Sequence, residues 1–198
     1  MKSICVYAGS AAGTKEVFTN NAIELGNAIA NYNYSMVYGG GSNGLMGVVA
    51  NAALSNGAEV TGIITEQLDE IEVGHKGLTK LEVVSSMHKR KARMAELSDA
   101  IISLPGGVGT WEELFEALAW NQLGFYSKPI VLFNVDEYYS PLYQFSEDAV
   151  KNGFLPKSTF EELFISEDLK EIFDFISSFK KKDGKDWYKR LERYNYFF

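Results

Sequence analysis

A glycine-rich segment that runs into two carboxylates has the residue types that most clearly predict chemistry. It reads Pro105-Gly106-Gly107-Val108-Gly109-Thr110-Trp111-Glu112-Glu113. Glycines let a ligand approach the main chain, and the N–H groups at the start of a helix attract anions. The Thr110 hydroxyl can add a donor. We therefore predict a phosphate-binding turn at the start of a helix, and not a Walker loop, because no Lys-Ser/Thr pair follows.

Glu113 has two interpretations at this stage. Thr110 and Glu113 have the spacing of a capping box, in which the two side chains satisfy main-chain N–H groups of the first helical turn. The local sequence favours this interpretation over a catalytic one. Glu112 and Glu116 are equally compatible with solvated carboxylates in the same helix.

A basic cluster, Met87-His88-Lys89-Arg90-Lys91, opens another predicted helix. Cations at a helix N-terminus oppose the helix dipole, so the cluster indicates either a nearby anion or a solvated charged face. Helical spacing places Met87 and Arg90 on one face. The two histidines, His75 and His88, do not have metal-ligand spacing, and no metal site is predicted.

Short apolar runs alternate with helical patterns along the chain, which predicts a parallel sheet covered by helices on both faces. The predicted strands are Ile4–Ala8, Ser35–Tyr38, Glu59–Ile64, Leu81–Val84, Ala100–Leu104, Ile130–Val135 and a short Leu163–Ile165. The predicted helices are Glu16–Ala30, Leu45–Leu54, Met87–Leu97, Thr110–Gln122, Leu142–Lys151 and Glu167–Phe179. Thr65–Lys80 is expected to be irregular. The fold class is α/β and Rossmann-like, with about six or seven strands in one domain spanning residues 1–198.

Two further glycine turns follow predicted strands, Gly9-Ser10 after the first and Gly39-Gly40-Gly41 after the second. Parallel strands bring their carboxyl ends to one edge of the sheet, where ligands of such folds bind. We therefore expect these turns to meet the turn at Pro105–Thr110. The usual dinucleotide-binding spacing is missing after the first strand.

Composition limits the class of protein. The 198 residues carry a net charge of −7, which argues against a basic face for duplex nucleic acid. Cys5 is the only cysteine, so an intrachain disulfide is excluded, and its apolar surroundings predict burial. We find no signal peptide and no membrane span, and expect a cytoplasmic protein. The charged and aromatic tail from Lys180 is expected to pack on the domain or on a partner chain.

The basic cluster and the glycine turn, in this order, resemble the paired signature of the LOG (Lonely Guy) family. These are cytokinin riboside 5′-monophosphate phosphoribohydrolases, historically labelled possible lysine decarboxylases. The resemblance extends from about Ile4 to Leu155 and includes Tyr7-Ala8-Gly9-Ser10, Tyr38-Gly39-Gly40-Gly41, Gly44-Leu45-Met46-Gly47, Asn134-Val135-Asp136 and Tyr138-Tyr139.

The resemblance implies hydrolysis of the N-glycosidic bond of AMP-like or N6-modified adenine nucleoside 5′-monophosphates, without a cofactor or metal. It implies a homodimer with sites near the subunit interface. From charge and hydropathy we expect no nucleic-acid or membrane partner. Arg90 and Glu113 match the catalytic pair. The expected substrate-binding residues are Gly9, Ser10, Gly40, Gly41, Met87, Lys91, Gly106, Gly107, Val108, Gly109 and Thr110. A non-hydrolytic protein that binds a nucleotide or molybdenum cofactor is the alternative, and a hydrolase for other nucleotides also stays open.

Overall fold

A seven-stranded parallel sheet forms the centre of the molecule, in a computed structural model that describes residues 2–72 and 74–181. The strand order is β4-β3-β2-β1-β5-β6-β7. The strands are β1 Ser3–Tyr7, β2 Ser35–Tyr38, β3 Val60–Thr65, β4 Lys80–Val84, β5 Ala100–Ser103, β6 Ile130–Phe133 and β7 Leu163–Ser166. Every neighbouring pair is parallel, which confirms the predicted fold class. The aromatic residues of the tail follow Lys181 and lie outside the described residues, so the predicted packing of the tail stays a prediction.

Helices cover both faces of the sheet, as predicted. They are α1 Glu16–Asn31, α2 Gly44–Ser55, α3 Glu66–Glu72, α4 Met87–Glu96, α5 Val108–Gln122, α6 Ser140–Lys151, α7 Lys157–Phe160 and α8 Leu169–Ser178. Side chains of β1 alternate between the faces: Ile4 and Val6 pack with α1, α2 and α8, whereas Cys5 and Tyr7 pack with α4 and α5. Burial on both faces explains why the strands are continuous apolar runs. No helix in the described part of the chain is long and apolar enough to cross a membrane.

The segment expected to be irregular, Thr65–Lys80, contains helix α3, and that prediction is wrong. The Thr65 hydroxyl accepts a hydrogen bond from the Leu68 N–H at 3.3 Å, and this contact supports the first turn. Glu66 and Asp69 lie in that turn, where negative charge is favoured by the helix dipole. The short helix α7 was also missed, and α6 begins at Ser140, two residues before its predicted start.

The chain reverses its direction of travel across the sheet at β1. It passes from β1 through β2 and β3 to β4, and then crosses to β5 on the other side of β1. Such a switch point leaves a crevice at the carboxyl ends of the two central strands, where ligands of open α/β sheets bind. The Gly9 N–H donates to the Pro105 carbonyl at 3.1 Å, so the turns after β1 and β5 meet there as expected.

Candidate active site

A cavity of about 290 Å³ opens at this switch point. Its described lining comes from the turns after β1 and β5 and from helices α2, α3, α4 and α5. The lining residues are Ala8, Gly9, Ser10, Met46, Leu68, Met87, Arg90, Gly107, Val108, Gly109, Thr110, Glu112 and Glu113. Nine of the sequence-predicted site residues are therefore brought together around one space.

The predicted phosphate turn forms the N-terminus of α5. Gly107 is the N-cap and Val108 is the first helical residue. A Cβ built on Gly107 or on Gly109 would have no atom of the described chain within 4 Å, so the main chain borders open space at both positions. The first N–H groups of a helix lack intrahelical partners and carry the positive end of its dipole. This arrangement can bind an anion such as a phosphate.

The capping-box interpretation of Thr110 and Glu113 is wrong. Because α5 begins at Val108, Thr110 lies within the first turn and Glu113 beyond it. The Thr110 side chain is buried against the preceding turn, and a Cβ on Gly106 would lie 2.1 Å from its Oγ1. Glu113 therefore does not cap α5, although the local sequence favoured that role.

The Arg90 guanidinium is held by two main-chain carbonyl oxygens near the carboxyl ends of β2 and β3. It projects from α4, whose N-cap Ser86 accepts a hydrogen bond from the Lys89 N–H. Its Nε donates to the Ile63 carbonyl and its Nη2 to the Gly39 carbonyl, both at 2.9 Å, and the residue is only 6% exposed. A Cβ on Gly39 would lie 2.0 Å from Nη2. Glycine at this position therefore makes room for the guanidinium.

The Glu113 carboxylate lies beside Arg90 in the wall of the cavity. Its Oε1 lies 3.6 Å from Arg90 Nη1, which is an ion-pair contact longer than a hydrogen bond, and its side chain is 12% exposed. Burial raises the pKa of Glu113 to about 7, and the neighbouring carboxylates Glu112 and Glu116 add to the rise, whereas Arg90 and Lys91 oppose it. A carboxyl group with a pKa near neutrality is suited to general acid–base chemistry.

Lys91, a predicted substrate-binding residue, points to helix α5 and not into the cavity. Its Nζ donates to Glu112 Oε1 and, at 3.0 Å, to Glu116 Oε1. Burial lowers the pKa of Lys91, but the two carboxylates outweigh this effect and leave the pKa above its ordinary value. Lys91 therefore joins α4 to α5 beside Glu113, and a direct contact with substrate stays a prediction.

Three predicted glycines also lie outside the described lining of the cavity. Gly40 has a φ of +77°, and a Cβ there would lie 3.2 Å from the Ile64 Cβ, whereas Gly41 forms a β-bridge with Gly74. Gly106 is enclosed between Gly9 and Thr110, and a Cβ there would lie 2.9 Å from the Gly9 nitrogen. These glycines shape the turns that border the cavity, and their contact with substrate stays a prediction.

Some lining residues escaped the sequence reasoning, namely Ala8, Met46 and Leu68, and Glu112 was considered only as a solvated carboxylate. Met46 belongs to the segment Gly44–Gly47, and Gly44, with φ of +59°, lets this segment approach Ser10 closely. A signal for Leu68 was present in the sequence. Leu68 and Ile71 are three residues apart in an acidic segment, which is the pattern of a helix.

A metal site receives no support from the described residues, which contain no group of three or more His, Cys, Asp or Glu side chains suited to hold an ion. His75 lies apart from the cavity lining, and its Nε2 is 2.9 Å from Asn51 Oδ1.

The fold and the cavity define the class: a Rossmann-like α/β protein whose cavity is lined by a helix N-terminus and a buried Arg–Glu pair. The sequence model of the family described as "Possible lysine decarboxylase" matches residues 46–176. The chain is 47% identical over 178 residues to a cytokinin riboside 5′-monophosphate phosphoribohydrolase of Rhodococcoides fascians, covering 89% of this chain and 90% of that protein. It is 41% identical over 189 residues to the LOG1 enzyme of that name in Arabidopsis thaliana, covering 93% and 88%. The chain belongs to this LOG family.

Solved structures of more distant proteins share the fold. The molybdenum cofactor carrier protein of Chlamydomonas reinhardtii superposes with a TM-score of 0.68 at 20% identity, covering 89% of this chain and 96% of that one. The molybdenum cofactor binding protein of Rippkaea orientalis gives 0.67 at 22% identity, covering 90% and 97%. Identities this low support the common fold and carry no argument about ligand.

Proposed function

We propose that this protein hydrolyses the N-glycosidic bond of AMP-like or N6-modified adenine nucleoside 5′-monophosphates to free base and ribose 5-phosphate. The observation that carries the proposal is the buried Arg90–Glu113 pair, whose atoms approach to 3.6 Å in the wall of the cavity that the α5 N-terminus also lines. The names of the relatives, cytokinin riboside 5′-monophosphate phosphoribohydrolases, support the same reaction.

The 5′-phosphate would bind at the N-terminus of α5. The main-chain N–H groups of the segment from Gly107 to Thr110 supply donors, and the helix dipole favours the negative charge. Gly9 and Ser10 approach from the turn after β1, and Met87 from the start of α4. With the phosphate held there, the ribose lies within reach of the Glu113 carboxylate, which is one helical turn further along α5.

Cleavage passes through a transition state with positive charge on the sugar ring. Water supplies the oxygen that replaces the base nitrogen at the anomeric carbon, while the electrons of the broken C–N bond leave with the base, which gains a proton. The Glu113 carboxylate can stabilise the positive ring, orient the ribose hydroxyls or activate the water. Arg90 would hold the phosphate or assist departure of the base.

We also propose that the chain forms a single domain and a homodimer with its sites near the interface. An apolar groove of about 440 Å³ lies between α5 and α6, and it is lined in part by the exposed side chains of Trp111, Phe115 and Phe145. Trp111 directly precedes Glu112 of the cavity lining. Light scattering should report a dimer for the wild type and a monomer for Phe145→Glu, and a monomeric wild type would contradict the proposal.

Incubation with AMP and with N6-isopentenyl-AMP tests the hydrolase directly. Chromatography should detect free base together with an equal amount of ribose 5-phosphate, and Glu113→Gln should release neither at a comparable rate. If both nucleotides bind tightly and no base appears, the non-hydrolytic alternative would replace the proposal. If deoxynucleotides or pyrimidine nucleotides are cleaved faster, the reaction stands and the substrate class changes.

A further inference from the structure

Two adjacent tyrosines hydrogen-bond main-chain carbonyls in and just before the glycine turn. They follow β6, in the loop that leads to α6. The Tyr138 hydroxyl donates to the Gly106 carbonyl, and the Tyr139 hydroxyl donates to the Leu104 carbonyl at 2.7 Å. Neither tyrosine belongs to the described lining of the site. Their contacts therefore act on the turn and not on a ligand.

The contact to Gly106 sets the direction of one N–H group. The carbonyl of Gly106 and the N–H of Gly107 belong to the same peptide unit, which is planar and whose two polar groups point in opposite directions when it is trans. A hydrogen bond that holds the carbonyl toward Tyr138 therefore turns the Gly107 N–H away from Tyr138. Gly107 lines the cavity and Tyr138 does not, so an N–H that points away from Tyr138 can face the phosphate site.

The loop that carries Tyr138 is built to hold the phenol in place. Asp136 and Glu137 have φ values of 52° and 58°, in the left-handed region that residues other than glycine rarely adopt. The Tyr139 N–H donates to Asn134 Oδ1 at 2.8 Å and closes the loop. The Tyr138 ring packs edge-on against Phe18, with the ring centroids 6.2 Å apart.

We propose that Tyr138 is a positioning residue for the substrate phosphate: its hydroxyl holds the Gly106–Gly107 peptide so that the Gly107 N–H is directed into the anion site before the ligand binds. The inference rests on the proposed function for the identity of the ligand. A preorganised donor strengthens binding because its orientation costs nothing when the ligand arrives. Loss of the hydroxyl frees the peptide to rotate and weakens phosphate binding, whereas the Glu113 carboxylate keeps its place.

Tyr138→Phe tests the proposal, with Tyr126→Phe as the matched control. The Tyr126 hydroxyl also donates to a main-chain carbonyl, that of Ala117 within α5 at 3.4 Å, which is seven residues beyond Thr110. We expect Tyr138→Phe to raise the KM for AMP and the Kd for ribose 5-phosphate and inorganic phosphate about five- to tenfold, with kcat within about twofold. Tyr126→Phe should leave all of these within about twofold of the wild type.

A Kd for ribose 5-phosphate that is equal in the two variants would overturn the proposal, and so would a fall in kcat without a change in Kd. Because calorimetry of ribose 5-phosphate needs no turnover, a wild type that binds it but releases no base would refute the hydrolase and leave the Tyr138 result readable. If Tyr138→Phe does not fold, Phe18→Leu removes the ring that packs on Tyr138 and keeps the hydroxyl. That variant should weaken phosphate binding about two- to threefold, and an unchanged Kd would count against the proposal.

Discussion

Glu113→Gln is expected to stabilise the fold at neutral and alkaline pH while it abolishes hydrolysis. Burial raises the pKa of Glu113 from 4.5 to about 7. The folded protein therefore keeps the proton at pH values where the unfolded chain has already lost it. Stability falls as the pH rises from about 4.5 to about 7, and the full penalty persists above that range.

The size of this penalty follows from the two pKa values. A shift of this size corresponds to about 3 kcal/mol when the group is fully ionised, of which about 2.5 kcal/mol develops between pH 5 and pH 8. Glutamine keeps the shape of the side chain and stays neutral. The free energy of unfolding of Glu113→Gln, relative to the wild type, should therefore rise by about 2.5 kcal/mol over that interval.

Urea unfolding of both proteins at pH 5, 6, 7 and 8 measures the difference, with Glu24→Gln on the exposed side of α1 as the control. The control should show no comparable trend. Activity supplies the second reading: if the carboxylate is the active form, kcat/KM should rise with pH around a midpoint near 7, and Glu113→Gln should lose about a hundredfold or more. A relative stability that is flat or falls between pH 5 and pH 8 would refute the reasoning about burial.

Three further predictions concern the surroundings of this carboxylate. Gly109→Ala should raise the free energy of unfolding by about 0.5 kcal/mol in urea titrations, because alanine is the better helix former. Its methyl group would meet the incoming phosphate, so the KM for AMP should rise about tenfold, and an unchanged KM would contradict the position of the anion site. Gly39→Ala would place a Cβ 2.0 Å from Arg90 Nη2 and displace the guanidinium, so kcat/KM should fall more than about tenfold; wild-type kinetics would show that Arg90 need not be held there. Lys91→Met removes a cation that lowers the pKa of Glu113, so the midpoint of the pH–rate profile should move upward, and a downward movement would contradict the charge assignment.

The fold was predictable from the sequence because burial on both faces leaves a strong mark. Strands such as Ile4–Ala8 and Ala100–Leu104 are apolar without alternation, and a glycine turn follows each of them. Parallel strand direction places the turns after β1 and β5 at the same end of the sheet, and they meet because these two strands are neighbours. Long-range contacts leave no such mark, which is why the contacts of Lys91 with Glu112 and Glu116 were not predicted.

Gly39 and Glu113 each fit a local sequence motif, but the structure gives each of them another role. The run Gly39-Gly40-Gly41 reads as a tight turn after a strand, and Gly40 does have a positive φ. Gly39, however, is required by an arginine 51 positions further along the chain, whose Nη2 bonds its carbonyl. Glu113 has the spacing of a capping box with Thr110. The helix begins at Val108, however, so Thr110 is not the N-cap residue that a capping box requires. Local patterns predict the turn, whereas the site depends on side-chain contacts between α4 and α5 that local patterns do not reveal.

Arg90 and Glu113 are held differently, and this suits them to different chemical roles. Arginine keeps its proton at any pH a protein meets, and Arg90 has its Nε and Nη2 tied to the carbonyls of Ile63 and Gly39. It can supply a fixed positive charge but no proton. Glu113 approaches that charge only to 3.6 Å and has a pKa of about 7, so it is the member of the pair that can exchange a proton near neutrality. Because Arg90 opposes the effect of burial, it keeps the carboxylate ionisable in a site that would otherwise hold it protonated. In the proposed reaction Glu113 is therefore the acid–base group, and burial and Arg90 act in opposite directions to set the pH at which it titrates.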